Sequence, residues 1–249
     1  MIYIKSDDEI LLMKKAGSIV RDTLNLIESL IKPGITTRYL DKKAEEYILN
    51  CGATPSFKGY HGYPATLCIS VNDQVIHGIP SDKIIKDGDI VSVDCGANIN
   101  GFHGDAARTF PVGKVSEEAE RLIKVTQQSF FEGLKFVREF NKVGDISNAI
   151  QEYVQKNGYS VVREFTGHGI GRNLHESPEV PNYGQKGTGV SLKKGMALAI
   201  EPMVNMGKAH VRILGDDWTV VTADGKLSAH YENTVIVTSD EPEILTLWF

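Results

Sequence analysis

Two segments of this chain repeat the same order of elements, and each delivers a carboxylate to the end of an apolar strand. The repeated positions are Lys32-x-Gly34, Tyr47-Ile48 and Gly52 in the first segment, and Lys142-x-Gly144, Tyr153-Val154 and Gly158 in the second. Asp94 follows Gly88 by six residues, and Glu201 follows Gly195 by six residues. Because no linker separates the segments, the repeat predicts one α+β domain with two similar halves, residues 1–112 and 113–249.

Helices are predicted at four places from capping signals and apolar spacing. The first begins after Ser6, because Ser6 and Glu9 form a capping box, and it ends at Pro33-Gly34. The others are expected over residues 37–51, 116–139 and 145–157. The region 65–108 favours short strands, with 96–101 as a hairpin connection.

Composition narrows the class of protein. A length of 249 residues suits one large domain or two small ones, and a net charge of −5 without a long run of one sign does not imply broad nucleic-acid binding. Cys51, Cys68 and Cys95 form no disulfide framework, which fits a reducing compartment. No signal peptide and no apolar stretch of membrane-spanning length is present, so we expect a cytoplasmic protein.

Asp94 and Asp105 are the first candidate functional residues. Asp94 ends an apolar strand, where a buried carboxylate is costly unless a cation or a hydrogen-bond donor compensates it. A hairpin brings Asp105, eleven residues later, back towards Asp94. Two adjacent carboxylates repel each other unless a metal neutralises them. The pair alone leaves two interpretations open: a metal site, or exposed aspartates that cap a turn.

Three further residues extend this pattern. Glu201 ends a second apolar strand and precedes Pro202, and Glu232 stands just before an apolar run. His168 lies within the glycine-rich segment 167–171, where the glycines allow a tight approach of the backbone, although a plain turn is the simpler interpretation. Four carboxylates and one imidazole suit manganese, iron, cobalt or zinc, and bridging carboxylates can hold two such ions.

Five segments together resemble the motifs of bacterial, type I methionine aminopeptidases. In chain order they are Asp94, Gly101-Phe102-His103-Gly104-Asp105, Gly167-His168-Gly169-Ile170-Gly171, Ala199-Ile200-Glu201-Pro202-Met203-Val204 and Tyr231-Glu232-Asn233-Thr234. The resemblance runs from Asp7 to the last strand. It implies a pita-bread fold, in which two pseudo-twofold related halves place antiparallel sheet against helices.

The resemblance also implies roles for individual residues. Asp94 would bind one of two divalent metals through both oxygens, Asp105 and Glu232 would bridge the two, and His168 and Glu201 would complete the second site. The metals would be cobalt, manganese, iron, zinc or nickel. The family also binds a monovalent cation near the positions that match Asn72 and Ser228.

Residues outside the ligand set have counterparts in the family as well. His77 would donate a hydrogen bond at the scissile bond, and His175 would stabilise the developing oxyanion. The methionine pocket would be lined by Phe57, Tyr60, Tyr63, Cys68 and Trp218, although core packing is a strong alternative for Phe57 and Cys68. Leu174 falls where many members carry phenylalanine, which leaves the pocket shape open.

The expected activity is hydrolytic removal of the initiator methionine from nascent chains whose second residue is small, with a metal-activated water and Glu201 as the proton shuttle. We expect a monomer, with no nucleic acid or membrane as partner, and transient ribosome association is left open. Two rival classes share the fold. Proline-specific aminopeptidases and dipeptidases usually carry an added N-terminal domain, which is absent from this sequence, and non-catalytic binding proteins typically lose metal ligands.

Overall fold

Four α-helices and a short 3₁₀ helix lie within the computed structural model, which describes residues 2–247. They are α1 Asp7–Leu30, the second helix α2 Thr37–Asn50, the 3₁₀ turn Tyr60–Gly62, α3 Glu117–Leu134 and α4 Val143–Lys156. In this described range, no helix has both the length and the apolar character needed to cross a bilayer.

Within residues 2–247, the strands form four antiparallel sheets. They are β1 Thr54–Pro55, β2 Leu67–Val71, β3 Gln74–Ile76, β4 Ile90–Ile99, β5 Phe102–Pro111, β6 Ser160–Val161, β7 Gly167–Gly169, β8 Glu176–Val180, β9 Ala197–Ile200, β10 Met203–Asn205, β11 Val211–Ile213, β12 Val220–Thr222, β13 Ser228–His230, β14 Asn233–Ile236 and β15 Glu243–Ile244. In one sheet β4 pairs with β5 on one side and with β1 and β2 on the other. A second has the order β15-β14-β9-β7-β8, and the small sheets are β13-β10-β6 and β11-β12-β3.

Local capping chemistry accounts for the helix starts. The Ser6 hydroxyl accepts the Glu9 N–H at 3.3 Å and the Glu9 carboxylate accepts the Ser6 N–H at 2.9 Å, which confirms the predicted capping box of α1. The fourth helix begins at Val143, two residues before the predicted start. The reason is that Asp145 accepts the Lys142 N–H at 2.8 Å and so occupies the third helical position instead of the first.

The third helix ends at Leu134, so the prediction of helix as far as residue 139 was wrong. Beyond Leu134 the backbone finds partners that are distant in sequence. Glu139 N–H donates to the Thr238 carbonyl at 3.1 Å, and Phe140 N–H donates to the Leu192 carbonyl at 3.2 Å. These bonds replace the helical ones, and apolar spacing alone could not reveal them.

The β4–β5 hairpin turns more tightly than predicted. Both strands continue to Ile99 and Phe102, so only Asn100 and Gly101 form the loop, not the whole segment 96–101. Their φ angles are 54° and 80°, as a two-residue type I′ turn requires. Because Asp94 and Asp105 therefore lie within paired strands, the interpretation as a turn-capping pair is wrong.

Each half of the molecule packs a pair of helices against strands. Helices α1 and α2 contact the β1-β4-β2 sheet with β5, and α3 and α4 mainly contact strands of the second half. The first half has a core cluster that includes Leu40, Ile48 and Val93, and the second has one that includes Leu122 and Ile146. Gly88 and Gly195, the glycines matched in the repeat, have nearly equal φ angles of 87° and 85°. Gly52 and Gly158 also agree, with φ angles of 73° and 85°, whereas Gly34 has a φ of 94° and Gly144 lies within α4. The local structure therefore repeats at two of the three matched glycine pairs.

Helix α1 crosses strand β5 where each contributes a glycine, Gly17 from the helix and Gly104 from the strand. A Cβ on Gly17 would lie 2.4 Å from the Leu245 carbonyl oxygen, and a Cβ on Gly104 of β5 would lie 2.8 Å from the Gly17 nitrogen. Real Cβ atoms do not approach other atoms so closely. The two glycines thus let the helix backbone rest directly on the strand that carries Asp105.

Gly17→Ala is expected to destabilise the protein by about 1–3 kcal/mol, because the added methyl group overpacks a contact made by backbone atoms. We expect this loss of stability even though alanine has a higher helix propensity than glycine, by about 1 kcal/mol. Chemical denaturation measures it. Gly215→Ala is the matched control, since a Cβ there meets no atom within 4 Å. A Gly17→Ala protein as stable as the parent would show that the helix can shift freely.

Candidate metal centre

The β4–β5 hairpin positions the first two carboxylates. Asp94 is the cross-strand partner of Ala107, and Asp105 is the partner of Gly96. Asp105 is thus two residues from the partner of Asp94, so both side chains lie on the same face of the sheet as a diagonal pair. The prediction that the hairpin brings them together on one face holds, although they are not directly opposite.

The second sheet supplies His168 and Glu201. His168 on β7 pairs with Ala199 on β9, and Glu201 lies two residues further along the same chain segment. The His168 Nε2 atom is consequently 3.7 Å from Glu201 Oε1, and it is also 4.0 Å from Asp105 Oδ2. His168 Nδ1 bonds to the Gly169 carbonyl at 2.8 Å. Since a carbonyl only accepts, the proton of the neutral ring is on Nδ1, and the Nε2 lone pair faces the carboxylates.

Glu232 arrives through contact between the two halves. Its backbone N–H donates to the Ala107 carbonyl at 3.0 Å, and the Ala107 N–H donates to the Glu232 carbonyl at 3.3 Å. The buried Arg108 guanidinium also donates to the Glu232 carbonyl, and to Asn233 Oδ1 at 2.6 Å. These bonds hold the Glu232 backbone beside the strand that carries Asp105.

Burial dominates the electrostatics of this cluster. Asp105, Glu232 and His168 are buried, Asp94 and Glu201 keep some exposure, and all five line one cavity. Burial raises the pKa of Asp94 to about 7. It also raises the pKa of Asp105, Glu201 and Glu232, and neighbouring carboxylates add to each increase. Burial lowers the pKa of His168 to about 3. The ionised carboxylates therefore need a positive charge among them.

Residues of this kind fit divalent metal ions. Ligand atoms of Asp105, His168 and Glu232 lie within 4.8 Å of one another, and Glu232 also belongs to a second such group. Asp94 Oδ1, Asp105 Oδ1 and Glu232 Oε1 are buried and accept no hydrogen bond within residues 2–247. Unpaired buried oxygens and an imidazole lone pair that face each other must either take up protons or surround a cation, and hard oxygen ligands with one imidazole suit a divalent metal.

A cavity of about 270 Å³ adjoins these residues. All five residues expected in the methionine pocket line it, together with Leu174, and they are Phe57, Tyr60, Tyr63, Cys68 and Trp218. The Trp218 ring packs edge-on against Tyr63 with ring centroids 5.0 Å apart. The Tyr63 hydroxyl is bonded to the Leu67 and Gly78 carbonyls at 3.0 Å, so the polar end of Tyr63 is used by the fold.

His77 and His175 line the same cavity. His77 has a φ of 58°, and its ring meets those of Phe165 and Trp218 edge-on. Burial lowers the pKa of His77 to about 4. His175 Nδ1 bonds to the Tyr60 hydroxyl at 2.8 Å. The two imidazoles thus reach the cavity from separate loops.

Sequence reasoning missed several residues of the site. Phe165, Thr166, His61 and Ile76 also line the cavity. His230 is 3.7 Å from Glu201 and 3.9 Å from Glu232, measured from its Nε2 to the nearer carboxylate oxygen. Burial lowers its pKa to about 3. Its position two residues before Glu232 was the available signal, because alternate residues of an extended segment share a face.

Comparisons with known proteins agree with this geometry. The family model described as metallopeptidase family M24 matches residues 11–239. A methionine aminopeptidase of Clostridium perfringens is 63% identical over 247 residues, which are 99% of each chain. The crystal structure of methionine aminopeptidase from Rickettsia prowazekii superposes with a TM-score of 0.98 at 43% identity, covering 99% of this chain and 100% of the other.

The pita-bread fold extends to more distant proteins. Prolidase from Pyrococcus furiosus superposes with a TM-score of 0.81 at 24% identity, covering 99% of this chain and 66% of that one, and this likeness shows the fold alone. This chain is 43–63% identical to the methionine aminopeptidases named above but only 24% identical to the prolidase, which favours the methionine-specific class over the proline-specific rivals. The chain belongs to metallopeptidase family M24 and, within it, to the methionine aminopeptidases.

Proposed function

We propose that this chain hydrolyses the bond after an N-terminal methionine when the second residue is small, with two divalent metals held by Asp94, Asp105, His168, Glu201 and Glu232. The observation that carries the proposal is the convergence of four carboxylates and the His168 imidazole at one end of a cavity whose other walls are largely aromatic and apolar. The metals are drawn from cobalt, manganese, iron, zinc and nickel.

The division of ligands is the one that the family resemblance implies. Glu232 belongs to both groups of close ligand atoms, one with Asp105 and His168 and one with Glu201 and His230, which suits a bridging residue. Asp105 adjoins Asp94 on one face of the hairpin and His168 on the other sheet, which suits a second bridge. Asp94 would then bind one metal through both oxygens, and His168 and Glu201 would complete the other site.

Bound metals supply Lewis acidity, which lowers the pKa of a water molecule and polarises the carbonyl. Glu201, which lines the cavity, would carry a proton from the attacking water to the leaving amine. His77 donates a hydrogen bond at the scissile bond. His175 stabilises the oxyanion through Nε2, which is left for the substrate because Nδ1 bonds to Tyr60.

The remaining parts of the proposal concern organisation and context. We propose a single catalytic domain over residues 1–249 with halves 1–112 and 113–249, supported by the reciprocal backbone bonds between Ala107 and Glu232. We also propose a monovalent cation near Asn72 and Ser228, which are adjacent because the Ser228 N–H donates to the Asn72 carbonyl at 2.9 Å. The enzyme would act as a cytoplasmic monomer on nascent chains, in transient association with the ribosome where those chains emerge.

Methionyl peptides with Gly, Ala or Ser in second place are expected to be cleaved efficiently, and Met-Lys or Met-Leu peptides very slowly. The reason is that the second residue must lie beside His77 and the metal ligands, where space is limited. A peptide with leucine in first place should have a kcat/KM about 10–200-fold below that of the methionyl peptide, because the two side chains differ only in apolar shape. A mass-spectrometric time course on these peptides measures both preferences.

Formyl-Met-Ala-Ser is the matched control for the amino terminus. The formyl group removes the positive charge of the amine and adds bulk among the carboxylates, so we expect this peptide to resist cleavage. Comparable kcat/KM for Met-Ala-Ser and Met-Lys-Ser, or clean release of formyl-methionine, would show that the substrate assignment is wrong even if the metal site is right.

A further inference from the structure

His230 is a buried imidazole on the metal cluster that the proposed ligand set does not use. It ends β13, and the Thr109 hydroxyl holds its backbone from both sides, accepting its N–H and donating to its carbonyl, each at 2.9 Å. The ring is 2% exposed, and its Nε2 atom has no hydrogen-bond partner within the described chain. The backbone of His230 is therefore anchored, while the polar end of its buried ring still needs a partner.

Two carboxylates face that atom. Glu201 Oε2 is 3.7 Å from His230 Nε2, and Glu232 Oε2 is 3.9 Å away. Both distances lie just beyond hydrogen-bond length, within reach of a small rotation of either carboxylate. The other oxygen of Glu201, Oε1, is 3.7 Å from His168 Nε2. Glu201 thus stands between two imidazoles, with one oxygen towards each.

The two imidazoles differ in what they offer to Glu201. The proton of His168 is held at Nδ1 by the Gly169 carbonyl, so its Nε2 presents a lone pair. No hydrogen bond within residues 2–247 holds a proton on Nδ1 of His230 in this way. An N–H at His230 Nε2 then faces two acceptors, whereas a lone pair there would face two more lone pairs.

We infer that His230 is a positioning residue for Glu201: its Nε2–H donates to Glu201 Oε2 and thereby leaves Oε1, beside His168, for the metal. This inference rests on the proposed function, because it assigns Glu201 as both a ligand and the proton carrier. Partners that orient ligands in this manner typically change metal affinity or activity by about 10–100-fold when they are lost.

Two amide substitutions separate this role from its alternatives. The side-chain N–H₂ of glutamine reaches about as far as imidazole Nε2, whereas that of asparagine reaches only about as far as Nδ1. His230→Gln should therefore keep kcat and the affinity for Mn²⁺ within about threefold of the parent, and His230→Asn should lose about 10–100-fold in one or both, with KM for Met-Ala-Ser nearly unchanged.

The measurements are Mn²⁺ titration calorimetry, the visible spectrum of the Co²⁺-loaded protein and steady-state kinetics, with thermal unfolding to show that each variant is folded. His210→Asn is the matched control, since His210 is an exposed imidazole 3.9 Å from Glu164. Parent-like His230→Gln beside impaired His230→Asn supports the role.

Two results would overturn the inference. Loss of a metal equivalent and a changed Co²⁺ spectrum in both variants would make His230 a ligand. Parent-like behaviour of both would leave it without a positioning role. A parent protein that binds metal but cleaves no methionyl peptide would refute the proposed function alone, because the calorimetry and the Co²⁺ spectra would still decide whether His230 positions Glu201.

Discussion

Removal of divalent metal is expected to abolish cleavage of Met-Ala-Ser, and addition of Mn²⁺, Co²⁺ or Fe²⁺ is expected to restore it. The physical reason is that Asp94, Asp105, Glu201 and Glu232 bring only negative charge to the cavity, so a bound cation is needed to activate water and polarise the substrate carbonyl. Dialysis against a chelator, elemental analysis and a peptide assay on the same samples measure the effect.

Metal removal should also lower stability, which provides a readout that is independent of activity. An ion that binds only the folded state at a free concentration of 100 times its Kd stabilises that state by about 2.7 kcal/mol. When no metal is bound, the ionised carboxylates destabilise the folded state, because burial raises the pKa of Asp94, Asp105 and Glu232. Full activity in a preparation shown to be metal-free would refute the proposed mechanism.

His77→Ala is expected to lower kcat by about 10²–10³-fold while the metal content stays at the parent level. The ring lines the cavity between Phe165 and Trp218, and His77 belongs to neither group of close metal-ligand atoms. Burial lowers its pKa to about 4, so the ring is neutral near pH 7 and acts as a hydrogen-bond donor, not as a fixed charge. Steady-state kinetics and elemental analysis test both halves of the expectation.

A backbone effect must be separated from the loss of the imidazole. His77 has a φ of 58°, a conformation that alanine adopts at a cost of about 1–2 kcal/mol. Asparagine tolerates this region better, so His77→Asn should show the same fall in kcat with a smaller change in thermal stability. If either variant lost metal in proportion to activity, His77 would have to be reassigned as a ligand.

The sequence predicted those features that depend on nearby residues. The capping box of Ser6 and Glu9 starts α1 because its hydrogen bonds close within one helical turn. Asn100 and Gly101 reverse the chain because both readily adopt positive φ. Where distant partners decide, as at the end of α3, the same reasoning failed, because Thr238 and Leu192 are not neighbours in sequence.

The sequence by itself determined that carboxylates adjoin apolar strand runs in both halves, since strand patterns and turn residues are local. It did not show that β4 continues past Asp94 to Ile99. Only the tertiary structure decided which of these meet. Pairing of Ala107 with Glu232 brings the two halves together, and pairing of Met203 on β10 with His230 on β13 places His230 beside Glu201. The physical reason is that such contacts depend on how two sheets pack, and burial then raises the pKa of the clustered carboxyls and lowers the pKa of His168 and His230.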